Sequence, residues 1–561
     1  MIYMTIPLAL VIMVLNTDYE NQNPFPHMDM VIGTSVSVPV SGERVTVDIL
    51  EKYRKDNIPL RITGPKGDIV KLPLDNRGSA IWQTTRYGKY ILEYNGYTRT
   101  IWVTSQPVIF NWWTGDIFPD FITHAMISGE DSEEYWRRRG VVRLHWIGGE
   151  YLSREEHQVT FRHPEQWFKN WWSRLYQISR EPQQGVCLDE LYATDERFDG
   201  VALPKAVTML RNAAGEDFYI GVYYSGITPE FSTGMWYLRQ SNVYHLEECY
   251  WGTEDIYLKR WQDVTLYRIQ DQAVLVISPG FNQSKKIRGS LTPQKLREEF
   301  AMVRRVAPEA AGIGIFNAYK NPTLEKLADK LIQEYFLKPV IHLQPKNGNI
   351  LARNIGHEDA EGCYAVFLNE EGQDLHEIKL KKLKSMESRE IEIPSGAVSL
   401  KLVTPEDSVN IYPDGIYVFP KVMNPLQVIE TSIKNMEVIN SNDGDITFRA
   451  VFNKPLDTKY IARDSFLLQG VTSGYHEGRI TCDNKSLKLS IEFYNLPSDF
   501  YTLRLISGRD KISDEDGLPL DGSDNGLLDP INDHYAVHFI LIRNGKEPEL
   551  PLPESSILSS P

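Results

Sequence analysis

Short runs in which apolar and polar residues alternate mark the region between residues 35 and 105. Examples are RVTVDIL, GKYILEY and TRTIWVT, and Gly, Pro and Asn turn signals separate them. Alternation with a period of two is typical of strands that bury one face. Because no helical period interrupts these runs, we predict a small antiparallel β-sandwich over residues 31–106.

A different pattern follows over residues 107–339, where apolar runs alternate with amphipathic segments. Stretches such as HPEQWFKNWWSRLYQIS and LTPQKLREEFAMVRRV carry the helical period. Repeated strand-helix units predict a parallel sheet, and eight of them predict a (β/α)8 TIM-like barrel. The runs that predict its strands are 108–113, 122–127, 141–149, 185–192, 219–226, 243–251, 273–281 and 311–319.

Strand patterns return after Pro339. Residues 340–420 and 421–545 each predict a further sandwich, and the Pro-rich stretch 546–561 predicts an extended tail. The chain of 561 residues is also longer than one hydrophobic core supports. The predicted fold is therefore multidomain: a central (β/α)8 TIM-like barrel flanked by one N-terminal and two C-terminal β-sandwich (Ig-like) domains.

Charge and cysteine content narrow the function classes. The 60 Lys and Arg against 75 Asp and Glu leave a net charge of −15, which repels phosphate backbones and argues against a nucleic-acid partner. The 4 cysteines form no CxxC pair, so neither a disulfide scaffold nor a zinc site is indicated. We expect Cys187 and Cys249, which lie in apolar runs, to be buried.

The apolar run IPLALVIMVL at residues 6–15 is too short to cross a bilayer as a helix, so no stable membrane span is predicted. It predicts instead a signal segment within residues 1–30, although no Lys or Arg precedes it. The expected location is therefore secreted or cell surface.

Two predicted barrel strands end in paired carboxylates. Asp189 and Glu190 follow GVCL, and Glu247 and Glu248 follow VYHL. Catalytic groups of (β/α)8 enzymes lie at the carboxyl ends of the strands, and crowded carboxyls can divide into an acid and a base. Because side chains alternate along a strand, one member of each pair could instead face the helices. The other interpretation is that these carboxylates cap helices or pair with arginines.

With these carboxylates, residues 107–339 resemble a glycoside hydrolase of the (β/α)8 type. The adjacent Asp189 and Glu190 are similar to the dyad of retaining hexosaminidases. That resemblance implies that Glu190 is the acid/base and that Asp189 orients an acetamido group. The more general alternative pairs Glu190 as acid/base with Glu247 or Glu248 as nucleophile.

Aromatic residues add candidate sugar contacts. All 12 tryptophans fall between Trp82 and Trp261, and flat rings at strand ends can stack on the apolar faces of sugars. Arg143 and His145 share one face of their strand and could bind a hydroxyl or a carboxylate. The further substrate-binding candidates are Trp112, Trp113, Trp146, Tyr192, Tyr223, Tyr224, Tyr250, Trp251 and Asn317, with Asn111 and Asp116 beside them.

No Gly-rich phosphate loop, GxSxG elbow or HExxH motif occurs. We therefore predict that no cofactor is required and that no catalytic metal is bound. The oxygen-rich stretches 514–517 and 521–526, followed by Asp529 and Asp533, suggest at most a structural calcium in the C-terminal domain, although the EF-hand spacing is not met.

Residues 421–545 resemble the bacterial Ig-like domains of S-layer and other exported proteins, on the segments DGDITFRAVFNKPLD and DNKSLKLSIEF. This resemblance implies export and attachment to a cell envelope. The predicted function is an exported glycoside hydrolase-like protein that cleaves a poly- or oligosaccharide. The alternative is a non-catalytic surface or S-layer-associated protein that binds a glycan or a protein on a degenerate barrel.

Overall fold

The structure is a computed structural model of the chain. It describes residues 30–113, 121–126, 131–147, 164–178, 184–189, 202–224, 226, 232–250, 253–278, 292–316, 322–405, 409–482, 487–528 and 533–548.

The N-terminal part consists of two antiparallel sheets in the orders β1-β2-β5 and β4-β3-β6-β7. Alternate residues of their strands point into a shared core that contains Val47, Leu60 and Leu92. This packing agrees with the period-two pattern of the sequence. The strands are β1 (Ile32–Thr34), β2 (Arg44–Ile49), β3 (Leu60–Thr63), β4 (Ile69–Leu72), β5 (Ser79–Gln83), β6 (Gly88–Tyr94) and β7 (Tyr97–Val103).

A closed barrel of eight strands occupies the middle of the chain, and all of its strand pairs are parallel. Each strand falls within one of the eight runs predicted from the sequence, so the predicted barrel is confirmed. Its strands are β8 (Ile109–Trp113), β9 (His124–Met126), β10 (Val142–Ile147), β11 (Gly185–Leu188), β12 (Tyr219–Tyr224), β13 (Tyr244–Glu248), β14 (Ala273–Ile277) and β15 (Gly312–Phe316).

Amphipathic helices alternate with these strands. They are α1 (Asp131–Arg138), α2 (Pro164–Ile178), α3 (Ala202–Ala214), α4 (Ser232–Gln240), α5 (Glu254–Leu266), α6 (Pro293–Val306) and α7 (Pro322–Ile332), which a π-helical turn (Gln333–Leu337) extends. Short 3-10 turns lie at Glu51–Tyr53, Gln270–Gln272, Pro413–Gly415 and Arg463–Ser465. No helix among these described residues has the length and apolar character needed to cross a bilayer.

Residues of the barrel wall alternate between two cores. Ile109, Leu144 and Leu246 fill the lumen, whereas neighbours such as Phe110 and Leu275 pack outward against the helices. At one seam a glycine permits close strand approach, because a Cβ on Gly312 would overlap the carbonyl oxygen of Ile109 on the adjacent strand. Closure of the barrel between β15 and β8 therefore depends on the missing side chain at residue 312.

Further sheets follow the barrel, in the orders β16-β17-β20, β19-β18-β21-β22, β23-β25-β29-β28 and β24-β31-β30-β26-β27. The first strands are β16 (Ile341–Lys346), β17 (Asn349–Asn354), β18 (Tyr364–Leu368), β19 (Asp374–Lys379), β20 (Ser388–Ile391), β21 (Ser399–Val403) and β22 (Ile416–Val418). The others are β23 (Val428–Thr431), β24 (Glu437–Ser441), β25 (Ile446–Phe452), β26 (Phe466–Gly470), β27 (Gly474–His476), β28 (Arg479–Cys482), β29 (Lys488–Phe493), β30 (Asp499–Leu505) and β31 (Tyr535–Arg543).

The last sheet packs directly on the barrel helices. The indole N–H of Trp236 in α4 donates to Thr502 Oγ1 at 3.1 Å, and Thr502 Oγ1 lies 3.0 Å from Nδ1 of His538. The ring of Tyr267, just after α5, stacks on that of His538. All four side chains are buried, so this sheet and the barrel share a dry, hydrogen-bonded contact.

Candidate functional site

Aromatic rings line the mouth of the barrel, where the eight strands end. Trp113, the last residue of β8, lies 5.7 Å from Tyr223 of β12 and 4.8 Å from Phe316 of β15, between ring centroids. Tyr250 stacks on Phe316 at 5.0 Å. The phenol of Tyr223 donates to Asn111 Oδ1 at 3.2 Å. These contacts form a rigid aromatic wall on several strands.

Two carboxylates reach this wall. Asp189 directly follows β11, and Glu248 is the last residue of β13, two residues beyond the lumen-facing Leu246. Burial raises the pKa of both Tyr223 and Tyr250 well above its usual value, and the negative charges of Asp189 and Glu248 add to the shift at each phenol. Asp189 and Glu248 therefore lie at the carboxyl ends of two different barrel strands, on the lumen side.

Trp146 contacts both Asp189 and the aromatic wall. Its indole N–H donates to Asp189 Oδ2 at 3.0 Å, and its ring lies 6.1 Å from that of Trp113. Trp146 is 49% exposed, whereas Tyr223 is fully buried. An exposed indole beside a carboxylate offers a flat apolar surface and an anion to one ligand.

The other members of the two predicted pairs are Glu247 and Glu190. Glu247 is fully buried on the outer face of β13, where Oε2 accepts from the backbone N–H of Gly226 at 3.2 Å. Burial raises the pKa of Glu247 well above 4.5, and the nearby Arg260 guanidinium opposes this shift. Glu190 lies outside the described residues.

Three of the predicted sugar contacts also lie on the outer, helix-facing side of the barrel. Trp112 belongs to the core between strands and helices. Arg143 and His145 flank the lumen-facing Leu144, so both point toward the helices. The expected shared face is thus present, but it is the face away from the mouth. Burial, and then the charge of Arg143, lower the pKa of His145.

Several predicted residues belong to parts of the chain that the structure does not describe. Tyr192, Trp251, Asn317 and Asp116 lie outside the described residues, as does the side chain of Tyr224. Phe316 was not singled out from the sequence. Its position as the last residue of an apolar barrel strand is the signal that could have identified it.

No group of three or more His, Cys, Asp and Glu side chains is arranged to hold a metal ion within the described part of the chain. In the oxygen-rich C-terminal stretch, Asp521 Oδ2 accepts from the N–H of Gly526, and Asp533 Oδ1 accepts from those of Gly522 and Ser523. These carboxylates thus order turns of the backbone. Asp529 lies outside the described residues, and calcium there stays a prediction.

The mouth therefore combines two acidic groups with flat, mostly buried rings and one exposed indole. Such an arrangement can hold a polar, ring-shaped ligand by stacking while carboxyl groups exchange protons with it.

Comparison with known proteins gives no family for this chain. No protein-family model matches it, and no curated protein matches it in sequence. Among solved structures it is similar to a chitinase from Bacteroides thetaiotaomicron, with 11% identity over 41% of this chain and 97% of that one and a TM-score of 0.33.

A family 39 glycoside hydrolase from the gut symbiont Bacteroides cellulosilyticus WH2 has 10% identity over 82% of this chain and 100% of that one, with a TM-score of 0.29. The surface layer protein SbsC, domains 1–6, has 13% identity over 21% of this chain and a TM-score of 0.15. That match spans only 13% of the SbsC chain. The structural neighbours thus include glycoside hydrolases, all at low similarity.

Proposed function

We propose that this protein cleaves glycosidic bonds of a poly- or oligosaccharide at the mouth of its barrel. The observation that carries the proposal is the position of two carboxylates, Asp189 after β11 and Glu248 at the end of β13, on the lumen side of the aromatic mouth. The exposed Trp146 beside Asp189 supplies a stacking surface. Paired carboxyls and flat rings are what glycoside hydrolysis requires.

Within this proposal Glu190 keeps the acid/base role that the resemblance to retaining hexosaminidases implies. Glu248 is the second carboxylate, since it shares the mouth with Asp189 whereas Glu247 faces Gly226 and Arg260. Asp189 accepts the indole N–H of Trp146. This bond fixes the orientation of the carboxyl group, which can then orient a sugar substituent.

The proposed reaction consumes one water molecule. The acid gives its proton to the glycosidic oxygen as the bond from that oxygen to the sugar carbon breaks. The second carboxylate stabilises the positive charge on the sugar, either by bonding to that carbon before water replaces it or by taking a proton from the attacking water. Hydroxide ends on the sugar and a proton on the leaving group, so no cofactor is needed.

The test is hydrolysis of a panel of 4-nitrophenyl glycosides and cell-wall polysaccharides by the full chain. Wild type is compared with Glu190→Gln, Glu248→Gln and Asp189→Asn. Glu298→Gln, on the exposed side of α6, is the matched control. We expect each mouth variant to lose hydrolysis by at least about a hundredfold, while the control keeps wild-type activity. Undiminished hydrolysis in Glu190→Gln and Glu248→Gln would remove both residues from the mechanism.

Absence of hydrolysis on every substrate, with glycans still bound by wild type, would favour the second candidate. This is a surface protein that binds glycan or protein on a barrel without chemistry. In that case Trp146→Ala should weaken glycan binding, whereas Glu248→Gln should leave it near the wild-type level.

Export and envelope attachment belong to the same proposal. They rest on the apolar run 6–15, which lies outside the described residues, and on the sequence pattern of residues 421–545. Fractionation of bacterial cells that express the chain with and without residues 1–30 tests them. Equal amounts in the cytoplasm for both forms would contradict export.

A further inference from the structure

The chain leaves barrel strand β12 through a buried anchor. The backbone N–H of Gly226 donates to Glu247 Oε2 on the neighbouring strand β13, at 3.2 Å. Glu247 is fully buried, and its Oε1 makes no hydrogen bond among the described residues. The bond to Gly226 is therefore the contact through which this carboxyl acts on the described backbone.

Gly226 is clamped on its other side as well. Its φ of +93° lies in the left-handed region, and a Cβ added there would overlap the guanidinium of Arg260 in α5. The left-handed φ favours a glycine at this point, and a side chain would in addition have to displace the flexible end of Arg260. Glu247, Gly226 and Arg260 form a three-part clamp, which we call the Gly226 clamp.

Gly226 lies three residues after Tyr223, which belongs to the aromatic wall of the mouth. Tyr223 donates to Asn111, and its ring packs edge-on against Trp113. Displacement of Gly226 would move the end of β12 and with it the ring of Tyr223. The Gly226 clamp lies on the helix side of the barrel, whereas the Tyr223 ring that it positions lies on the lumen side.

We propose that Glu247 is a positioning residue, which holds the Tyr223 side of the mouth in place through Gly226 and so sets the affinity for substrate. This inference rests on the proposed glycoside hydrolysis for its kinetic consequence. What the role requires is an acceptor oxygen at the Glu247 site, because a buried N–H without an acceptor is costly.

A matched pair of variants separates the acceptor from the side-chain volume. Glu247→Gln keeps an acceptor, whereas Glu247→Met has a similar length and no acceptor. The first readout is deuterium exchange of a peptide that spans residues 219–226, which needs no ligand. We expect exchange to accelerate at least about tenfold in Glu247→Met and to stay near wild type in Glu247→Gln.

The second readout is kinetic, on the 4-nitrophenyl glycoside that wild type hydrolyses best. Glu247→Met should raise KM about tenfold and leave the pH profile of kcat unchanged, and Glu247→Gln should restore KM. Ser241→Ala, which loses buried bonds to Thr208 Oγ1 and to the carbonyl of Tyr237 before β13 begins, is the control for general destabilisation. A KM increase of equal size in Ser241→Ala would overturn the positioning role.

Gly226→Ala attacks the same clamp from the other side. If Glu247 acts through Gly226, the double variant with Glu247→Met should raise KM no more than the larger single variant does. Additive effects would contradict the inference. Absence of hydrolysis in wild type would remove the proposed function alone, since the exchange measurement would still decide whether Glu247 holds Gly226.

Discussion

Glu247 and Glu248 are adjacent in the chain, yet they lie on opposite sides of the barrel wall. Glu247 accepts the N–H of Gly226 on the helix side, and Glu248 ends β13 on the lumen side, at the mouth. Alternation along β13 explains the division. Two identical side chains thus have different surroundings, and we assign them different roles.

Trp146→Phe should impair catalysis more than ligand binding. Phenylalanine keeps a stacking ring but cannot donate to Asp189, which loses its 3.0 Å hydrogen bond. Because this hydrogen bond is exposed to solvent, its contribution is about 0.5–1.5 kcal/mol, so kcat/KM should fall roughly 2- to 10-fold. Steady-state kinetics on an aryl glycoside provide the measurement, with Trp146→Leu as the variant that also loses the ring. Unchanged kinetics in Trp146→Phe would show that Asp189 does not need this donor.

The free energy of unfolding should depend on pH through Glu247. Burial raises the pKa of its carboxyl in the folded state above 4.5, so the folded protein holds this proton more tightly than the unfolded chain does. Its contribution is full below about pH 4.5 and is lost as the pH rises through the folded-state pKa. Glu247→Gln should remove a slope of at most about 1.4 kcal/mol per pH unit. Urea unfolding of both proteins from pH 5 to 8 measures it, and identical slopes would contradict the prediction.

Gly312→Ala should destabilise the barrel although it adds a single methyl group. The new Cβ would overlap the carbonyl oxygen of Ile109, so β15 and β8 would have to separate at the seam. We expect a loss of at least about 2 kcal/mol in unfolding free energy. Thermal unfolding gives the measurement. Gly508→Ala is the control, because its φ lies outside the left-handed region and the nearest atoms to its new Cβ would be in the side chains of Lys511 and Asp510, at 3.3 Å or more. An equal loss there would argue against the steric account.

Acid should weaken the contact between the barrel and the last sheet. Burial, followed by the charge of Arg239, lowers the pKa of His538 well below 6.5. Below about pH 6.5 this histidine is therefore protonated in the unfolded chain but stays neutral in the folded protein. The free energy of unfolding falls as the pH drops. His538→Gln should flatten this dependence by at most about 1.4 kcal/mol per pH unit. Unfolding curves at pH 6.5 and 5 decide the matter, and an unchanged slope would show that His538 is not responsible.

The strands of the barrel could be predicted from the sequence because each is a short apolar run followed by a helical pattern. Which face of a strand meets the lumen could not. Arg143 and His145 were expected on one face, and they share one, but periodicity alone does not say whether that face meets the lumen or the helices. The lumen side at β10 is decided by Leu144 and by its neighbours on other strands, which are distant in sequence.

The same limit applies to the carboxylate pairs. The sequence indicated Asp189 and Glu248 only together with their neighbours. The clamp on Gly226 was not predicted, because the contact between Glu247 and Gly226 joins residues 21 positions apart. Nothing in the sequence around Gly226 indicates that the Arg260 guanidinium lies beside it.

The buried bond from Trp236 to Thr502 also bears on how such a chain can be divided or recombined. A barrel expressed without the last sheet would expose this indole and the ring of Tyr267 to water, together with a donor that has lost its acceptor. Truncation at residue 420 should therefore yield a fragment that aggregates and has low solubility. Exchange of the terminal part between related genes should succeed only where the recipient barrel carries a matching aromatic surface.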